Sequence, residues 1–187
     1  MLDRIAAEQP AAERLEVWFL DEARVGQKGR MTPRWFLRGQ HPRKVKDLHC
    51  SSAYIFGAVC PERDTGVALV LPEVSTTGTN LLLQEIASHV PERRHAVVLI
   101  DNAGWHTTDK IEVPKNLTLV NLPPYSPELN AIERVWQYLR DRYLSGCLFS
   151  DEAAIVEACC KAWNRLVQET GRIHSLADRS WIHPVNP

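Results

Sequence analysis

Residues 96–101, AVVLID, decide the fold. Five apolar residues run unbroken and stop at an acid. Unbroken apolarity predicts a strand covered on both faces, as at the centre of a parallel sheet. Upstream, Thr79–Val90 carries Leu82, Leu83, Ile86 and Val90 at helical spacing and is stopped by Pro91. Before it lie Leu15–Leu20 (LEVWFL), ended by Asp21-Glu22, then a turn with Gly26 and Gly29, and Arg34–Leu37, stopped by Gly39 and Pro42. Ala53–Cys60 (AYIFGAVC) and Val67–Leu71 (VALVL) follow. The short gaps predict antiparallel neighbours. Downstream, Leu117–Leu122 predicts a further strand.

A helix is then expected from Ser126, with Pro127 in its first turn. Leu129, Ile132, Trp136, Leu139 and Tyr143 form its apolar stripe, and Gly146 ends it. A last helix starts after Ser150, with Asp151 and Glu152 at its positive end. It presents Ile155, Cys159, Trp163 and Leu166, and Gly171 closes it. The expected architecture is α/β: a mixed central sheet, antiparallel in its first strands and parallel afterwards, flanked by helices on both faces.

The chain has 187 residues, enough for one domain of ordinary size. No run of 18 apolar residues exists, and residues 1–14 do not read as a signal peptide. The five cysteines, Cys50, Cys60, Cys147, Cys159 and Cys160, form no CxxC pair, which disfavours structural zinc and favours a reducing compartment.

Net charge is −1, but its distribution is uneven. No acid occurs from Ala23 to Lys46. Arg24, Lys28, Arg30, Arg34, Arg38, Arg43, Lys44 and Lys46 give that segment +8, leaving −9 elsewhere. Trp35, Phe36 and His41 are interleaved. Such a segment reads as a phosphate-tracking surface or as a solvated basic hairpin.

Three carboxylates stand where sites form. Asp21 follows the first strand and Asp101 the most buried one, and carboxyl ends of parallel strands host sites in open α/β sheets. Glu133 sits at the edge of the Ile132–Trp136 stripe, whereas Glu128 falls in the first turn and complements the helix dipole. Three carboxylates are poor acid–base machinery at neutral pH. They suit hard divalent cations, and two ions about 3.5–4 Å apart can clamp the attacking and leaving oxygens of a phosphodiester. No Walker-type loop or dinucleotide fingerprint is present.

LDEARVGQ (20–27), VLIDNAGWHTT (98–108) and LPPYSPELNAIERVW (122–136) resemble the three signature blocks of Tc/mariner-like transposases, above all the bacterial insertion-sequence branch with its DDE endonuclease domain. The resemblance spans roughly Leu15 to Trp163. It implies an RNase H-like fold, with Asp21, Asp101 and Glu133 as catalytic and metal-holding acids for two Mg²⁺ or Mn²⁺ ions. It also implies that Asn102, His106 and Asn130 shape the site or touch DNA. The implied activity is metal-dependent DNA cleavage and strand transfer. The alternatives are another RNase H-like nuclease without strand transfer, or an inactive remnant that only binds DNA or a partner.

Thirty-one residues separate Asp101 from Glu133, somewhat fewer than the family usually shows. Expected boundaries are an N-terminal extension or junction over 1–14, the catalytic domain over 15–170 and a tail over 171–187. Only about fourteen residues precede the first strand, so a helix-turn-helix partner or a frameshifted full-length product is expected to read the element's ends. Transposon ends and target DNA are the expected partners, a homodimer is left open, no membrane is involved, and the expected location is cytoplasmic and nucleoid-associated.

If about half of the eight cations meet phosphates, the salt slope of DNA binding should be roughly −4. Neutralising Arg43, Lys44 and Lys46 together should flatten that slope and weaken all duplexes alike. Loss confined to one sequence, in titrations at several salt concentrations, would assign these residues to base reading instead.

Overall fold

The computed structural model describes residues 1–9, 12–27 and 51–182. Five strands form one sheet: β1 (Arg14–Gly26), β2 (Ser52–Cys60), β3 (Thr65–Leu71), β4 (Arg94–Ile100) and β5 (Leu117–Asn121). Their order is β3-β2-β1-β4-β5. β1–β2 and β2–β3 are antiparallel, while β1–β4 and β4–β5 are parallel. The mixed sheet is therefore as expected. Expected features at Gly29 and Arg34–Leu37 lie outside the described residues.

Strand alternation divides the core in two. Val17, Phe19, Val97 and Leu99 face one side, against α3 (Ile132–Leu139), α4 (Glu152–Gln168) and α5 (Arg172–Ala177). Trp18, Leu20, Ala96, Val98 and Ile100 face the other, against α2 (Thr76–His89). A sheet covered on both faces explains why AVVLI is apolar throughout. Ser75 caps α2 by accepting from the Gly78 N–H, and Asp151 caps α4 by accepting from the Ala154 N–H. No helix of the described residues is long and apolar enough to cross a membrane.

Two expectations change. The first strand does not end at Asp21-Glu22. It runs on to Gly26, because β2 supplies a ladder from Phe19↔Val59 to Gly26↔Ser52 after β4 has ended. The helix expected from Ser126 is broken. Pro127–Leu129 is a single 3₁₀ turn without a Ser126 side-chain cap, and Asn130 is extended before α3 begins. Asn130 donates its side-chain amide to the Leu20 carbonyl at 2.9 Å, and this tie to β1 interrupts the helix. After Leu139 the chain widens into a π turn over Arg140–Leu144.

Two short helices lie toward the ends of the described residues. Residues 2–8 form α1 (Leu2–Glu8), whose Ile5 is buried in the core. Residues 172–177 form α5, which buries Ile173 and Ala177. Gly171, at φ 76°, permits the turn into α5, and Asp64 accepts hydrogen bonds from the Gly171 and His174 N–H groups.

Gly57 lies opposite Asp21 in the β1–β2 pair. A Cβ there would meet Trp136 Cη2 at 2.5 Å and Trp163 Cη2 at 3.1 Å. Both indoles are core groups with little room to retreat. Gly57→Ala should therefore destabilise the fold by roughly 1–3 kcal/mol, the usual cost of overpacking. It should also shift the tryptophan emission of the folded state. Urea unfolding followed by fluorescence checks both, and unchanged stability would show that the indoles move aside freely.

Candidate functional site

An open cleft of about 430 Å³ lies at the carboxyl end of β4, where β1 runs on without it. Asp21, Asp101, Asn102, Asn130 and Glu133 line it, together with the 122–127 loop. The three acids come from β1, the exit of β4 and the start of α3. Tyr125 on the loop is fully exposed and has φ 59°, a left-handed conformation uncommon outside glycine.

Each acid has a different setting. Asp21 lies on the α3 side of the sheet and accepts from Trp136 Nε1 at 3.0 Å. Burial pushes its carboxyl up, and the negative charges of Glu133 and Glu22 push the same way. A backbone hydrogen bond at Glu22 and the Trp136 bond oppose them, and the result is about 7. Asp101 is exposed. Its Oδ1 accepts from the Ala103 N–H at 3.0 Å and from His106 Nδ1 at 2.7 Å. Glu133 is exposed in the first turn of α3.

The three polar side chains expected near the site divide in role. Asn102 donates to the Leu122 carbonyl at 2.6 Å, tying the exits of β4 and β5 together. His106 is only 4% exposed, and both ring nitrogens are engaged, Nδ1 with Asp101 and Nε2 with Glu22 at 2.9 Å. Burial alone would lower the pKa of His106. Its hydrogen bonds to Glu22 and Asp101, with their charges, outweigh burial and raise it. Asn130 is 5% exposed and spends its NH₂ on Leu20. These two side chains face inward, and neither His106 nitrogen is left for a phosphate.

Arg24 is exposed on β1. Lys28, Arg30, Arg34, Arg38, Arg43, Lys44 and Lys46 lie outside the described residues. Sequence reasoning did not single out Glu22 or the Trp136 indole. Alternation along β1 is the signal that could have found Glu22, since it sends residue 22 to the face opposite Asp21.

The donor set suits a hard cation. All three acids offer oxygen, and Asp21 is held where a nearby positive charge would relieve its raised pKa. Among the described residues Asn130 Oδ1 is buried without a hydrogen-bond partner, and the bond from its NH₂ to Leu20 fixes which amide atom is left over. A buried orphan acceptor is costly unless something binds it. Among the described residues no three His, Cys, Asp or Glu side chains stand at the spacing of a formed metal centre, so the fit is one of donor chemistry and charge.

Comparison with known proteins places these residues in context. A family model described as "DDE superfamily endonuclease" matches residues 16–156. A Sinorhizobium fredii protein designated y4pE/y4sA is 50% identical over 131 residues, covering 70% of this chain and 97% of that protein. The 39 kDa protein of insertion element IS630 from Shigella sonnei is 28% identical over 153 residues, covering 75% of this chain and 40% of that protein. Two solved structures share the fold. The Mos1 strand transfer complex aligns at 12% identity with a TM-score of 0.57, over 95% of this chain and 58% of that one. The Mos1 mariner paired-end complex with Mn aligns at 11% identity with a TM-score of 0.59, over 95% and 60%. The sheet and its flanking helices are thus RNase H-like, and the chain spans about three-fifths of the Mos1 chains.

The Asp21 environment predicts a pH dependence for the metal-free protein. Folded Asp21 holds its proton up to about 7, against an ordinary value of 3.8, so this group withdraws stability as pH rises through that interval. Asp21→Asn keeps an acceptor for Trp136 but carries no charge. In EDTA its advantage over wild type should be near zero at pH 4. It should grow to about 4 kcal/mol above pH 7, at about 1.4 kcal/mol per unit. A difference that stays flat from pH 4 to 8 in thermal unfolding would remove the crowded-carboxylate account.

Proposed function

The chain belongs to the DDE superfamily endonuclease family, and from that membership we propose that it is the catalytic domain of a DNA transposase that cuts at the ends of a mobile element and joins the freed strand to target DNA. The observation that carries this reading is the convergence of Asp21, Asp101 and Glu133 on one cleft. In this reading those three are the catalytic carboxylates, and Asp21, Asp101 and Glu133 would hold two Mg²⁺ or Mn²⁺ ions. When bound, such ions supply Lewis-acid activation of the attacking oxygen and stabilise charge on the leaving oxygen.

The remaining work falls to the protein. Trp136 fixes the orientation of Asp21, and the Ala103 N–H and His106 fix that of Asp101. Glu133 stands on the first turn of a helix and can adjust to the substrate from outside. The displacement is in line: water attacks the phosphodiester first, and the released 3′-hydroxyl attacks target DNA second. Neither step needs a covalent bond to the enzyme. Arg24 and the basic residues that follow it would hold the phosphate backbone beside the acids. Reading of the end sequence is assigned to a helix-turn-helix partner module, because phosphate contacts carry no sequence information directly.

Asp21→Asn, Asp101→Asn and Glu133→Gln should each slow cleavage by roughly a thousandfold or more, about 4 kcal/mol on the barrier. Glu128→Gln should stay within a few-fold, since Glu128 lies in the preceding 3₁₀ turn. The assay is end cleavage and joining on labelled duplexes with Mg²⁺ or Mn²⁺. Nicked products without joined strands, at full cleavage rate, would replace the transposase reading with that of a nuclease. Full activity in Glu133→Gln would remove Glu133 from the triad.

A further inference from the structure

We propose that Glu22 is a positioning residue that acts through His106 to hold the Asp101 carboxylate in its cleft-facing orientation. The inference rests on the reading of Asp101 as a metal-holding acid. Glu22 follows Asp21 on β1 and so points to the opposite face of the sheet. There its carboxylate meets the loop that leaves β4. Glu22 Oε1 lies 2.9 Å from His106 Nε2, and Glu22 Oε2 accepts from Trp105 Nε1 at 3.4 Å. The other His106 nitrogen lies 2.7 Å from Asp101 Oδ1. The Glu22 and His106 side chains are 5% and 0% exposed, whereas that of Asp101 is 52% exposed. The chain of contacts thus runs from a buried anchor to an open carboxylate.

The geometry divides the two Asp101 oxygens. Both hydrogen bonds that Asp101 accepts among the described residues fall on Oδ1, from Ala103 and His106. Oδ2 accepts none among the described residues. A carboxylate can only accept, so Glu22 holds the imidazole by receiving from Nε2, which aims Nδ1 at Asp101. α2 steadies the same loop independently. Thr76 donates to the Trp105 carbonyl at 3.2 Å, while Asn80 donates to the Lys110 carbonyl at 3.0 Å and accepts from the Glu112 N–H at 3.1 Å. The loop therefore retains anchors when Glu22 is changed, and what is lost selectively is the aim of His106. Buried partners that orient a ligand typically matter by about 10–100-fold in metal affinity.

The test uses the full chain, with Mn²⁺ as probe. Free Mn²⁺ is followed by room-temperature electron paramagnetic resonance, and metal dependence is measured separately in the cleavage assay. Glu22→Ala should weaken Mn²⁺ binding at least tenfold and raise the metal concentration for half-maximal cleavage in parallel. Glu22→Gln can still accept from Nε2 through its amide oxygen and should remain within about threefold of wild type. His106→Asn breaks the link from the other end and decides the question if Glu22→Ala does not fold. A folded Glu22→Ala or His106→Asn that binds Mn²⁺ like wild type overturns the proposal. So do equal losses in Glu22→Ala and Glu22→Gln, which would make the Glu22 charge itself the metal's partner. Asp101→Asn separates the two levels of inference: undiminished Mn²⁺ binding there defeats the reading of Asp101 as a metal holder, whatever Glu22 does.

Discussion

β1 is hydrogen-bonded along both edges, and the cleft depends on that constraint. Up to Phe19 it pairs with β4 on one side, and from Phe19 onward it pairs with β2 on the other. A strand held this way cannot rotate, so alternation assigns every side chain to a face. Val17, Phe19 and Asp21 point toward α3, and Trp18, Leu20 and Glu22 toward α2. One dipeptide, Asp21-Glu22, thereby serves both sides of the sheet at the place where β4 stops and opens a gap. A one-residue slip would exchange the two acids and send the core residues before them into the opposite packed face.

Four carboxylates meet around that gap: Asp21, Glu22, Asp101 and Glu133. Burial, with the charges of Glu133 and Glu22, raises the cost of ionising Asp21, and the four find different partners. Glu22 and Asp101 share His106, whose ring is held between them. Asp21 has a backbone hydrogen bond at Glu22 and the Trp136 indole N–H, which together do not offset its burial, and its pKa stays high. Glu133 is left to solvent. Asp21 therefore keeps its proton up to about 7, and among the described residues Asn130 Oδ1, from the same cleft lining, has no hydrogen-bond partner. Oxygen donors so arranged suit a hard cation.

The packing that supports this is specific. Trp136 reaches Asp21 across the space above Gly57, with Trp163 tilted against it at 5.9 Å between ring centroids. A glycine inside a strand ordinarily weakens it, and here it admits the indole. At the far end of β1, buried Glu16 accepts from Trp18 Nε1 at 2.8 Å and meets Arg63 at 3.3 Å and Arg94 at 3.4 Å. The strand is thus anchored by a paired buried charge at one end and carries, toward the other, a carboxyl whose pKa burial raises.

The sequence by itself determined the alternation of elements, the buried central strand AVVLI, the helix after Ser150 and the three signature blocks. Each rests on local chemistry: apolar period, capping residues and short-range order. Only the tertiary structure decided the rest. No local signal extends β1 past Asp21-Glu22, because the ladder that does so comes from β2, some thirty residues downstream. Nor does any local signal break the helix expected from Ser126, since Ser-Pro and the apolar stripe favour it. The Asn130 amide breaks it by bonding a carbonyl on β1. The inward role of His106 has the same origin, because its partners are Glu22 on β1 and Asp101 just past β4, 84 and 5 residues away in sequence. Local chemistry names the elements, but long-range hydrogen bonds choose where they stop and which side chains meet.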